Sequence, residues 1–211
     1  MVNPVSVLTS GKITSDHIGK TVYLSNSAIT CQEWIIADVN HDGTSGTVDL
    51  VCKHCYYGEL STKNGVQFDQ TSNYYAASSL YNNTHSKVSY FTDDVKNAMK
   101  TINFISGSET LQDKIKIPSL TEVGCNKNSY CTPAQEGTIY PLFGNTQSSP
   151  NNLAIFTDCD GTTRKYWTRT ARPDTTNMIM CVDKTGASTF STTGGYYSNT
   201  DYPCAIYIIR F

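Results

Sequence analysis

Charge is scarce in this sequence. Only 16% of its 211 residues are Asp, Glu, Lys or Arg, against about 25% in an average soluble domain. The net charge is -2 and no basic run occurs, so the electrostatic footprint of a nucleic-acid or anionic-membrane partner is missing. Long apolar runs are missing as well. Ala205 to Ile209 is among the longest, far short of the roughly 20 residues of a membrane helix, which predicts no membrane insertion. Met1 to Lys12 lacks the basic start and apolar centre of a secretory leader. A protein of this kind working outside a cell has had its leader trimmed or leaves by another route, such as within a virus particle.

Recognisable catalytic and metal motifs are also sparse. His17, His41, His54 and His85 stand in polar, turn-like contexts, with no serine elbow or HExxH around them. Eight cysteines fall below the density of a disulfide scaffold, and their spacing assigns no bridges. Cys52-Lys53-His54-Cys55 has zinc-knuckle or redox spacing, but no second CxxC or histidine pair completes a quartet. A few bridges together with buried free thiols are expected.

Neutral polarity takes the place of charge. Ser, Thr and Asn supply 21, 28 and 16 residues, and 14 Tyr join them. Twelve of the 28 threonines lie between residues 157 and 200, so this character concentrates late in the chain. Thr21 to Leu24 and Glu33 to Ala37 read as short strands, and a polar turn over 38–46 leads into Thr47 to Val51, predicting a hairpin. Asn73 to Asn83 reads as a helix. A second helix starts at Thr92-Asp93-Asp94, with Val95, Ala98, Met99 and Ile102 on one face. Short apolar pieces follow, including Lys114 to Ile117, Ile139 to Phe143, Leu153 to Thr157, Tyr166 to Thr168, Met178 to Val182, Ser188 to Phe190 and Ala205 to Ile209. With no repeat and no linker, residues 1–211 read as one α+β domain with segregated helices.

Three strings carry a resemblance: Ile117-Pro-Ser-Leu-Thr-Glu-Val-Gly124, Glu136-Gly-Thr-Ile-Tyr-Pro-Leu-Phe143 and Tyr166-Trp-Thr-Arg-Thr-Ala171, followed by Val182-x3-Gly186 and a closing apolar strand. Their order resembles an uncharacterised domain family of gut-bacterial surface and phage tail proteins. The resemblance covers roughly residues 20–211 and implies a C-type lectin-like fold: short antiparallel strands, two helices and a loop-rich C-terminal half. The family's closing strand usually reads Val-Arg-Pro-Ala, whereas this chain has Tyr202-Pro203-Cys204-Ala205. Variable proteins of diversity-generating retroelements use the same fold, and this resemblance implies a ligand-facing region, open to diversification, at about 164–211. A virion tail or a microbial cell surface is the setting implied, with a protein or glycan on a cell or host surface as the partner.

The loops 172–177 (RPDTTN) and 194–202 (GGYYSNTDY) supply the candidate ligand-binding residues: Arg172, Asp174, Thr175, Asn177, Tyr196, Tyr197, Asn199, Asp201 and Tyr202. Tyr, Ser, Gly and Asn make adaptable binding loops, and they are also ordinary loop formers. Asp38, Asn40, Asp42 and Asp49 have the spacing of a calcium loop, with Asp in place of the final Glu. A polar hairpin turn explains that string equally well, so calcium stands as the one cofactor the sequence suggests. Trp167 and Arg169 read as core residues beside a strand rather than ligand contacts. The expected function is non-enzymatic binding. The alternatives are a cysteine-dependent enzyme of the formylglycine-generating type, whose pair the spacing of Cys181 and Cys204 does not resemble, and a purely structural virion or surface module.

Overall fold

The computed structural model describes residues 3–26, 32–56, 65–129, 131–192 and 203–211. Among the described residues, three short α-helices, α1 (Pro4–Leu8), α2 (Ser79–Ser86) and α3 (Asp93–Ala98), accompany twelve strands. The larger sheet contains β1 (Thr21–Tyr23), β2 (Glu33–Val39), β3 (Val48–Cys52), β6 (Ile115–Lys116) and β12 (Ile208–Arg210), in the order β1-β2-β3-β12-β6. Every pairing in it is antiparallel. The smaller sheet, ordered β11-β10-β9, is built from β9 (Tyr166–Ala171), β10 (Met178–Val182) and β11 (Ser188–Thr192). Two hairpins complete the set: β4 (Ile102–Ser106) with β5 (Glu109–Asp113), and β7 (Phe156–Thr157) with β8 (Thr163–Arg164). The α+β expectation holds.

The C-terminal stretch stitches the sheets together. Cys204 donates its N–H to Lys165 and accepts from the Trp167 N–H, beside the small sheet. A few residues later β12 enters the large sheet, with Ile209 opposite both Leu50 and Ile115. All of residues 203–211 are buried, as are Trp34, Leu50, Trp167, Ile179 and Tyr207 in the single core cluster. Covering a five-stranded sheet in this way is what lets β3 read VDLVC with no exposed position.

The helices deviate from expectation. The stretch expected as a helix from Asn73 begins as a 3-10 turn at Tyr75–Ala77. The α-helix starts only after Ser78, whose hydroxyl oxygen accepts from the Tyr81 N–H, and it runs past Asn83 to Ser86. The next helix stops at Ala98, with Met99 already extended. Ile102 therefore belongs to β4, and the four-residue apolar face is shared between two elements. Val95 and Met99 are still buried as the pattern implied.

Candidate functional site

The three strings of the resemblance meet in the interior. Arg169, from the third, grips Glu122, from the first, with two parallel bonds: Nη1 to Oε2 at 2.7 Å and Nη2 to Oε1 at 2.8 Å. Lys116 Nζ reaches the same carboxylate at 2.6 Å. Glu136, from the second string, accepts the Thr170 hydroxyl at 2.7 Å and the Gly107 N–H. Ser119 donates its hydroxyl to the Glu136 carbonyl. Arg169 also donates to the carbonyls of Ile105 and Ile117. All of Lys116, Glu122, Glu136 and Arg169 are essentially without solvent exposure. Burial alone would raise the Glu122 carboxyl, but the charges of Arg169 and Lys116 override it and hold the group at about 2. Burial dominates for Glu136, which is raised. The charged residues of the strings are thus a buried scaffold, as expected for Trp167 and Arg169, while Gly137, Thr138 and Pro141 of the second string are exposed.

The string with calcium-loop spacing runs from exposed Asn40 and Asp42 to a second buried cluster around Asp49. Asp49 pairs with Arg210 through Nε and Nη2 and accepts the Tyr140 hydroxyl at 2.9 Å. Tyr140 stacks on His41 with centroids 3.8 Å apart, and His41 Nδ1 lies 2.7 Å from Asp38 Oδ2. Asn40 accepts the Gly46 N–H, and Asp42 accepts the Thr138 hydroxyl. Asp38, Asn40, Asp42 and Asp49 each have an internal partner, and among the described residues no three His, Cys, Asp or Glu side chains are grouped to hold an ion. Sequence reasoning missed Arg210, although a lone charge closing an apolar run is the signal of a buried pair.

The thiols give no activated nucleophile among the described residues. Cys52, Cys55, Cys125, Cys181 and Cys204 are buried free thiols, and Cys159 is disulfide-bonded. Burial pushes Cys52, Cys125 and Cys181 up to about 12. Half-buried Cys131 is raised by burial and then by Asp174, the reverse of what a reactive thiolate requires.

The polar loop 172–177 is the solvent-facing candidate. It joins β9 to β10, and β11 ends opposite Met178, so the chain leaves β11 at the same end of the small sheet. Arg172 packs its guanidinium over the Phe190 ring at 4.1 Å and pairs with Asp174 at 2.6 Å. The Asn73 side-chain amide donates to the carbonyls of Arg172, Thr175 and Met178 at 3.3, 2.7 and 2.9 Å, and its own N–H donates to Thr176. Asp174 and Asn177 are exposed, while Arg172 and Thr175 are half-buried. Tyr196, Tyr197, Asn199, Asp201 and Tyr202 lie outside the described residues. Elsewhere among the described residues of the expected region 164–211, β10 and β12 are largely interior and β9 is buried except at its end, whereas β11 is mostly half-buried and Lys184 and Thr185 are exposed. The sequence did not single out Asn73 or Phe190, because each reads as an ordinary member of its own element.

A family model described as a domain of unknown function (DUF6273) matches residues 37–206, spanning the three strings and the 172–177 loop. No curated protein and no solved structure matches the chain significantly.

Proposed function

We propose that this chain, which belongs to the DUF6273 family, is a non-enzymatic binding protein displaying a recognition face on a C-type lectin-like scaffold. The observation carrying this reading is the Arg172–Asp174 pair, set over Phe190 in a loop whose carbonyls are fastened by Asn73. Binding gains when contact groups are already ordered, since less freedom is lost on association. Arginine and aromatic side chains are also the usual anchors of interfaces. The partner proposed is a protein or glycan on a cell or host surface, met at a phage tail or a microbial surface. Buried thiols raised by their surroundings support the binding reading over cysteine-dependent oxidation.

Diversification by a retroelement is part of the same reading, supported by the Asn, Thr and Tyr character of 172–177 and 194–202. A reverse transcriptase gene with a near-copy of the 3′ end differing at adenines would identify it, and a locus holding neither would remove it. For binding, the protein is screened on glycan arrays and whole microbial cells beside Arg172→Ala/Asp174→Ala. Loss of binding of about tenfold or more is expected, with melting unchanged. Full binding by the variant would overturn the assignment.

A further inference from the structure

Away from the recognition loop, one cluster of titratable groups borders a hollow of its own. His85, in the last turn of α2, sets Nδ1 2.7 Å from Asp113 Oδ2. The histidine side chain is 69% exposed and the aspartate 3%. The other Asp113 oxygen accepts the Lys114 N–H at 2.7 Å, so each oxygen of this carboxylate has a partner. Anchoring Nδ1–H on a buried carboxylate orients the ring and leaves Nε2 as the atom turned to solvent.

The adjoining hollow, about 410 Å³, is bordered by His85, Ser89, Lys96 and Lys114 among others. Lys96 already pairs with Asp93 at 2.7 Å. Lys114, half-buried, donates Nζ to the Lys96 carbonyl at 2.8 Å and has no carboxylate partner among the described residues. Tyr81 also faces Asp113, which helps to hold its phenol up after burial. An ammonium whose bond goes to a carbonyl retains its full charge, and Lys114 borders the same hollow as His85.

We propose that this hollow is a second binding site, taking a small oxyanion group (phosphate, sulfate or carboxylate) between His85 Nε2 and Lys114 Nζ. The anion supplies the counter-charge that Lys114 lacks. With Nδ1–H on Asp113, Nε2 donates only when the ring is protonated, so anion binding favours the protonated ring. The site shares no residue with the 172–177 loop, and neither proposal depends on the other.

The test follows the histidine ring signals by NMR while phosphate, sulfate or acetate replaces chloride at constant ionic strength. A saturable movement of His85 is expected, with His17, bonded to Thr14 at the surface, unmoved. Lys114→Met should weaken binding about tenfold, the worth of one charge-assisted hydrogen bond. Calorimetry in two buffers should register proton uptake that His85→Gln abolishes. A response to phosphate and sulfate alone assigns a tetrahedral ligand, and one to acetate alone a carboxylate. Movement that never saturates, equal movement of His17, or wild-type affinity in Lys114→Met overturns the proposal.

Discussion

Glu122 and Glu136 both lie beside Arg169, yet their surroundings pull them in opposite directions. Burial opposes ionisation in each, but only Glu122 receives two guanidinium bonds and an ammonium. Its carboxyl falls from the ordinary 4.5 to about 2. A depressed carboxyl stabilises the fold fully above its unfolded value and loses that contribution as pH falls through the folded one. Glu136, being raised, works the other way: its contribution is present in acid and lost as pH rises, which softens acid unfolding. Glu122→Gln leaves Arg169 and Lys116 buried without the carboxylate that they both bond, an expected cost of about 3–5 kcal/mol at neutral pH. Denaturant curves should show the gap to wild type narrowing as pH drops from 4.5 towards 2. A gap that stays constant across this window would show that the ion pair is not the source. The sequence made the interior position of Arg169 legible, because it sits within an apolar strand between Trp167 and Ala171. The identity of its partner was not legible, since Glu122 lies 47 positions away and only tertiary packing joins them.

Among the elements, turns decide most of what strands and loops can do. Gly186, in the turn between β10 and β11, has φ +80, and an added Cβ would sit 2.2 Å from the Asn151 carbonyl oxygen. Gly186→Ala is expected to cost about 3 kcal/mol or more, since backbone must move and the conformation itself is strained. A thermal melt within about 1 kcal/mol of wild type would contradict this contact. Asn73→Ala removes the donors that fasten 172–177, so hydrogen exchange should accelerate in this loop while β9 and β10 keep their protection. Unchanged exchange would mean the loop is ordered by other contacts. The same scale explains what escaped the sequence. Val95, Ala98, Met99 and Ile102 fit a helical face, and that pattern concealed the alternation of buried Ile102, Phe104 and Ser106 in β4. Gly107 at φ +60 opens the two-residue turn to β5, a hairpin signal overridden by the preceding helix pattern. Strands bounded by clear turn residues were legible in position: β10 spans the expected Met178 to Val182, while β2 runs two residues past Ala37 and β3 is shifted by one residue and buried at every position.

Across the whole molecule, the charged residues of the three strings lie in the interior, and a polar loop at the end of the small sheet faces outward. The α+β class and the position of this loop could be read from composition and order. The insertion of β12 between β3 and β6, and with it the Asp49–Arg210 pair, could not, because sheet order is set by contacts distant in sequence. That pairing carries a consequence for calcium. With Asp49 committed to Arg210 and Tyr140, melting in calcium and in chelator should coincide, whereas tight binding would add several kcal/mol at saturating ion. A shift of that size would restore Asp38, Asn40, Asp42 and Asp49 as ligands. The division between scaffold and face is tested most directly by measuring affinity and melting together on Arg172→Ala/Asp174→Ala and on Glu122→Gln, using whichever surface the wild type binds. The expected result is lost affinity with unchanged melting in the first, and lowered melting with unchanged affinity of the folded fraction in the second. Lost affinity in folded Glu122→Gln, with Arg172→Ala/Asp174→Ala binding normally, would contradict it.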